Sequence, residues 1–394
     1  MAIPSWAMDS VDLLPIGINS PALKVGTYSN IDERYNQHGQ LMSLTDIHSI
    51  EFNVQTLSRI EPQVTELVSA LNSFGTGNYG NQLNLGVLKI NSQPSVQYWA
   101  PVHAWGITSK WTLGFGVPVI KYQNEASLAS EGGNLAAYKQ QYSGISTSLD
   151  QAFQRLDVSI DLAAQAELEK KGYKPIGRRE QTFVGDIQIV SLYDLGRTAN
   201  LASAWKMVVN LPTGPKADPS DLLALDMFGE TAVENHLMGQ YRFAKSLVIR
   251  GKGGYRYVLP DQVEKRVPLS DLDSLPGEEG QEKVTRQKGG SLIAGSSLGY
   301  EINQSWSIDL GYEFLQKEKD HYSGGRGRYY SALERNTDQI THRSKLGIAY
   351  SSVKSYFSKK ALIPSIFSLE LSDVFSGKNV ARQSLSEVTV MLFY

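Results

Sequence analysis

The chain has no cysteine in its 394 residues. That excludes disulfide frameworks, thiolate metal sites and cysteine nucleophiles, and it leaves the redox compartment open. No unbroken apolar run is long enough to read as a membrane-spanning helix. An excess of charge of either sign is missing too: 38 Lys and Arg stand against 40 Asp and Glu, a formal −2, with no basic tail and no long acidic run. No nucleic-acid partner is expected, because nothing supplies the basic field that would hold one. No phosphate loop, dinucleotide fingerprint, zinc-protease helix or nucleophile elbow occurs. Residues 260 to 288 are rich in Pro, Asp and Glu without the spacing of a calcium loop and read as a solvated link. Neither a cofactor nor a metal is expected.

What the chain does have is 35 Gly, 20 Tyr, 12 Phe, 6 Trp and a period of two. From Ser305 to Phe314, Trp306, Ile308, Leu310, Tyr312 and Phe314 fall on one face, and Ser305, Ser307, Asp309, Gly311 and Glu313 on the other. One face suits lipid and the other water, which is the pattern of a transmembrane strand. Trp111 to Val119 and Leu201 to Leu211 repeat it, and further candidates cover 94 to 104, 182 to 194, 231 to 244, 247 to 259, 289 to 302, 338 to 351, 361 to 372 and 382 to 394. Counting the weaker 83 to 91 gives twelve strands. Segments near 22 to 30 and around Ile50, Phe52 and Val54 would pair across a turn at Gly39 and make fourteen, the count slightly preferred. Even numbers suit a single-chain barrel with both termini on one side. Long links follow the strands ending near 122, 211, 259, 318 and 372, and short ones lie between, as expected of such a barrel. A soluble half-buried sheet would also alternate. Against it stand the aromatics at strand ends, namely Trp99, Trp105, Trp111, Tyr255, Tyr257, Tyr300 and Trp306, placed like an interface girdle.

Two stretches break the rhythm. Residues 61 to 74 space Val64, Leu67, Val68 and Leu71 as a short amphipathic helix, with Pro62 in its first turn and Gly75 as its stop. Residues 134 to 172 read as a helical extracellular insertion with Phe153, Leu156, Ile160, Ala163, Ala164 and Leu168 on one stripe and Gly172 as the C-terminal cap, a lid over the mouth or a surface for a partner. Residues 1 to 46 read as an N-terminal plug or a first hairpin. The start lacks a basic n-region and a full apolar stretch, although Ser5-Trp6-Ala7 has the small-x-small form of a cleavage site.

The chain ends on Tyr394, with Leu392, Val390 and Val388 at alternate positions before it. This resembles the C-terminal strand by which the outer-membrane assembly machinery recognises its barrels. A longer stretch, with Tyr98, Ala100-Pro101, Trp105-Gly106-Ile107-Thr108, Val117-Pro118, Gly185-Asp186 and Val209-Asn210-Leu211-Pro212-Thr213-Gly214, resembles the outer-membrane transporter family associated with the meta-cleavage pathway of phenol degradation. That family is distantly similar to the long-chain fatty-acid channels. The resemblance implies a Gram-negative outer-membrane barrel that admits small hydrophobic or aromatic molecules and meets membrane lipid and lipopolysaccharide. It says nothing of oligomeric state.

The expected architecture is therefore a single all-β transmembrane antiparallel barrel over residues 1 to 394. By strand phase, Lys206, Arg242, Arg250, Lys252, Arg256 and Lys345 share the inner face with Asp186, Glu301, Asp309, Glu313 and Glu370. Buried unpaired, each would cost several kcal/mol, so a wet or ion-paired interior follows. Arg250, Lys252 and Arg256, on one strand, are the constriction candidates. The plainer alternative is a ladder of salt bridges bracing the wall. Two outliers remain. His342 and Ser344 share the lipid face without an identifiable third member for a nucleophilic triad, so no catalytic residue is assigned. The Gly324 to Tyr330 run is a basic aromatic loop suited to lipopolysaccharide phosphates or solvent. The rival function is a structural or cell-contact barrel whose outer helices and loops bind a partner.

Overall fold

A computed structural model describes residues 10–43, 50–53, 62–73, 78–155, 160–271, 273 and 275–394. Ser5-Trp6-Ala7, the Gly75 helix stop and Leu156 lie outside these residues, as do the side chains of Val64, Ile160 and Ala163. The wall comprises β1 (Asn19–Ser29), β2 (Asn84–Thr108), β3 (Trp111–Gly116), β4 (Ile187–Arg197), β5 (Leu201–Leu211), β6 (Ala232–Ala244), β7 (Leu247–Val258), β8 (Ser291–Glu301), β9 (Trp306–Lys317), β10 (Gln339–Ser351), β11 (Ser365–Lys378) and β12 (Ser384–Leu392). Each pairs antiparallel with its chain neighbours, and β1 closes the ring. One edge of β1 runs from Ala22↔Met391 to Ser29↔Ser384 on β12, and the other from Asn19↔Trp105 to Tyr28↔Val96 on β2. Closure satisfies backbone donors and acceptors that lipid could not.

The barrel therefore closes with twelve strands, and the preference for fourteen is corrected. Segments 83 to 91 and 94 to 104 are one strand, β2, because Pro94 falls between the pairing with β1, which ends at Val96, and that with Ile50–Asn53, which begins at Leu88. An unpaired edge stretch is where a strand tolerates proline. The segment near 22 to 30 is the closing strand and forms no hairpin with Ile50–Asn53. The turn at Gly39 instead joins two short strands off the wall, Glu33–Tyr35 and Leu41–Ser43, which pair with each other, the first pairing also with Val380–Ala381.

Alternation is inverted relative to a water-soluble sheet. Lys24 is 3% exposed while its neighbours Leu23 and Val25 are 46% and 48% exposed. Charge points inward and apolar side chains outward, which is the arrangement lipid demands. All seven strand-end aromatics share the outward phase. Near the termini, Trp306 lies 5.1 Å from Tyr350 and Trp105 lies 5.7 Å from Phe115, ring centre to ring centre. Val388, Val390, Leu392 and Tyr394 also lie on the outward side of the last strand and its end.

Short links gather at the end that holds both termini, and the longer ones gather at the other end. There, β3 and β4 extend beyond breaks at Val117-Pro118 and Gly185-Asp186 into Val119–Glu131 and Arg179–Val184; these pair with each other, and Val119–Glu131 also pairs with the first half of β2. Between these extensions lie α2 (Leu135–Tyr142), α3 (Thr147–Arg155) and α4 (Ile160–Lys170), while α1 (Pro62–Ser73) precedes β2. Leu67 and Leu71 of α1 pack with Leu83, Tyr142, Leu149, Phe153 and Ala164 in a core of their own. Gly172, with φ +73°, takes the left-handed conformation that ends α4.

Residues 260 to 288, expected as a solvated link, instead contain a hairpin of Asp261–Arg266 and Gln281–Gln287. Val263, Val267 and Val284 pack there with Tyr322, Tyr330 and Leu333. Arg286, 1% exposed, reaches Asp261 at 2.9 Å and Asp226 at 3.0 Å. Burial tends to raise the pKa of both aspartates, but Lys265, Lys216 and Arg286 outweigh it, so both lie below the ordinary 3.8. A lowered carboxylate pKa gives stability that is fully present above the unfolded value and is lost as pH falls through the folded one. Amide exchange across 261–287 is thus expected to stay slow at pH 3.8 and to quicken only below it. Opening of the hairpin well above that pH would contradict the assignment.

Candidate functional site

The inner face holds two sectors of different chemistry. On β7 to β12 it is charged. Lys252 on β7 reaches Glu313 on β9 at 2.7 Å, although β8 lies between them. The register explains how: Lys252 faces Gly295, and Gly295 faces Glu313. A Cβ at Gly295 would stand 2.9 Å from Lys252 Cε, so glycine leaves the lysine room to arch across. Lys345 and Arg343 on β10 meet the same carboxylate at 3.0 and 3.2 Å, and Glu313 therefore serves three cations. Two residues along β7, Arg250 faces Ser297 and reaches diagonally to Asp309 across Gly299, where a Cβ would fall 2.6 Å from both partners.

The device recurs at the seam. Tyr98 on β2 donates to Glu387 on β12 by passing over Gly26 of β1, and Gly26 is in register with both. Lys24 lies 3.4 Å from the same carboxylate. Toward the long-loop end, Arg256 and Lys288 hold Glu230 at 2.6 and 2.7 Å, and His236 is hydrogen-bonded to Glu234. Toward the termini, Arg242 meets Glu301 at 2.6 Å. Removing one partner of such a buried pair is costly because it leaves the other charge uncompensated.

The second sector is aromatic. Tyr28, Val96, Tyr98, Ala100, Ile120, Tyr122, Phe228 and Leu385 form one buried cluster, contributed by β1, β2, β12, the extension of β3 and the link after β5. Asp186, beside the break in β4, fastens that link by accepting from Gly214 and Gly229 N–H at 2.8 and 3.0 Å. At the termini end, Val11 is buried against Leu192, Ala202, Ala204 and Met238 of β4 to β6. Arg197 holds the same segment, donating to Val11 O at 2.9 Å and to Asp12 at 3.1 Å.

Lys206, Arg242, Arg250, Lys252, Arg256, Asp309, Glu313 and Lys345 thus all lie on the inner face. Lys252, Glu313 and Lys345 come together and Arg250 joins Asp309, whereas Arg242 lies near a short turn and Lys206 on β5. Arg250, Lys252 and Arg256 do share β7, but each is bound to a different carboxylate, so the row is compensated. Sequence reading missed Lys24, Glu387, Glu230, Lys288 and Arg343. Strand phase is a signal that could have found Lys24 and Arg343, but their partners needed the register. On the outer face, His342 Nδ1 lies 2.7 Å from Tyr312 Oη, and its ring lies tilted against Phe314 and Phe375. In the loop after β9, Arg326 donates to Gln281 O at 3.1 Å and Arg328 to Val267 O at 3.3 Å, ties that brace the loop itself.

No protein-family model matches the chain, and no curated protein matches it. Among solved structures, an outer membrane channel from Pseudomonas putida F1 aligns over 98% of this chain and 98% of its own, at TM-score 0.54 and 11% identity. The toluene transporter TbuX of Ralstonia pickettii aligns over 96% of this chain and 90% of its own, at TM-score 0.34 and 11% identity. A FadL homologue from Pseudomonas aeruginosa covers 96% and 90%, at TM-score 0.33 and 8% identity. The first likeness shows a shared fold. That fold is in keeping with the architecture that the sequence resemblance implies.

Glu313→Gln leaves Lys252, Lys345 and Arg343 without their carboxylate and is expected to lower barrel stability by about 3 kcal/mol. Gly295→Val, which puts a branched side chain under Lys252, should act in the same direction. Urea unfolding of the barrel in lipid vesicles measures both, and an unchanged midpoint for Glu313→Gln would refute the three-cation assignment.

Proposed function

We propose that the chain is an outer-membrane channel of a Gram-negative bacterium through which small hydrophobic or aromatic molecules pass by diffusion, without covalent chemistry. One observation carries the reading: the closed twelve-strand wall has the fold of a solved outer membrane channel across nearly its whole length. The aromatic inner sector beside an ion-paired one supports the solute class, because an apolar ring can follow the first while the second stays hydrated. Lys206, Arg242, Arg250, Lys252, Arg256, Asp309, Glu313 and Lys345 line the path on this reading, and lumen side chains of this kind tune selectivity. The end with both termini faces the periplasm and the long links face the medium, where they meet lipopolysaccharide. Val388, Val390, Leu392 and Tyr394 form the outward stripe offered to the assembly machinery. The segment around Val11 acts as a short plug at the periplasmic end.

A second reading has its own support. The helices α1 to α4 share a core of their own, as a partner-binding module would. Replacing residues 134 to 172 by a short Gly-Ser link separates the two. A lid should raise single-channel conductance when removed, whereas a partner module should leave it unchanged.

In liposomes, the purified barrel is expected to raise uptake of a neutral aromatic such as benzyl alcohol above that of empty vesicles. Failure to raise uptake of any aromatic or fatty solute would sink the channel reading.

A further inference from the structure

The long-loop mouth contains a cavity of about 500 Å³ that shares only Lys288 with the inner-face ion pairs. Its charged lining is Arg34, Lys265, Lys288 and Lys317 with Asp226 and Asp320, four cations against two carboxylates, a formal +2. The lysines are already engaged. Lys265 lies 2.5 Å from Asp226, Lys288 lies 2.7 Å from Glu230, and Lys317 pairs with Asp320 while donating to Thr337 O at 2.8 Å.

Arg34 differs. Its backbone is fixed between Ala381 and Met42, yet its guanidinium has no hydrogen bond or ion pair among the described residues. The nearby carboxylates are taken: Glu33 by Arg382 at 2.9 Å, Asp338 by Lys378 at 2.7 Å, and Asp226 by Lys265 and Arg286. Burial lowers the Arg34 pKa from its ordinary value, with no carboxylate opposing it. The group still keeps its charge, since guanidinium is protonated throughout the accessible pH range. A partly desolvated cation facing a cavity is best satisfied by an anion from outside. Tyr322 and Leu333, which pack on the apolar side of the loop hairpin, line the same cavity and offer a flank for a ring. The volume lies within the range of small-molecule sites.

We propose that this cavity recognises small aromatic carboxylates, with Arg34 forking the carboxylate and Tyr322 and Leu333 flanking the ring. One unpaired cation calls for one negative charge, which favours a carboxylate over a doubly charged phosphate. The proposal deepens the channel reading, since it rests on the mouth being open to solutes.

Calorimetric titration of the full-length protein in detergent micelles with benzoate, benzyl alcohol and inorganic phosphate tests it. Benzoate is expected to bind saturably, and Arg34→Gln to weaken it about tenfold or more, as loss of a charged hydrogen-bond partner does. Benzyl alcohol should bind more weakly and equally to both proteins. Arg34→Lys keeps the charge without the fork and should fall between the two, which serves as the variant to use if Arg34→Gln does not fold. Heat-modified electrophoretic mobility reports folding. Absence of benzoate binding to the unaltered protein, equal binding by folded Arg34→Gln, or displacement of benzoate by equimolar phosphate would each overturn the proposal. Micelle binding is independent of conductance: binding without a conducting channel defeats only the channel reading, and conductance without binding defeats only this one.

Discussion

A charged side chain on the inner face of a closed barrel cannot turn outward into lipid, so its counter-charge has to come from the same inner face. Here the partner often sits two strands away, with a glycine of the intervening strand beneath the contact. Lys252 to Glu313 over Gly295, Arg250 to Asp309 over Gly299 and Tyr98 to Glu387 over Gly26 are three instances of one geometry. Each fastens three strands with one contact, and the third lies on the seam where β1 joins β2 and β12. The same constraint selects residue types: long cations and carboxylates at the ends of each span and no Cβ beneath it.

The two inner sectors follow from how the wall is built. The β7 to β12 half is a run of hairpins with even inward phase, and it accumulates the ion pairs. The half that includes β2 to β4 is irregular, with breaks at Val117-Pro118 and Gly185-Asp186 and strands that extend past the wall. There the inner face is apolar and aromatic, and the link after β5 returns to fill it with Phe228, fastened through Asp186. A solute moving along such an interior would meet a hydrophobic surface on one side and a compensated polar one on the other.

Much of this was legible in the sequence, because a barrel wall writes its inside and outside into alternate residues. The inward charges, the outward girdle and the alternation of long and short links all follow from local periodicity. Pairing over long separations does not. Nothing in residues 22 to 30 announces that Ala22 faces Met391 at one edge and Val102 at the other. Segments 83 to 91 and 94 to 104 read as two strands, yet they are one, because Pro94 falls where β2 has an open edge. The hairpin in residues 260 to 288 was hidden because its core of three valines is completed by Tyr322, Tyr330 and Leu333 from later in the chain. For the inner-face candidates, phase gave the face of each residue, while the identity of its partner required the register of two strand pairs at once.

The most direct test of the inner-face account is a charge exchange at its simplest span. Arg250→Asp and Asp309→Arg, each alone, place like charges together across Gly299 and should lower the urea midpoint of the barrel in lipid vesicles. The double exchange restores opposite charges and should recover most of the loss. A double exchange no more stable than the worse single variant, or single variants indistinguishable from the unaltered chain, would contradict the claim that these spans hold the wall together.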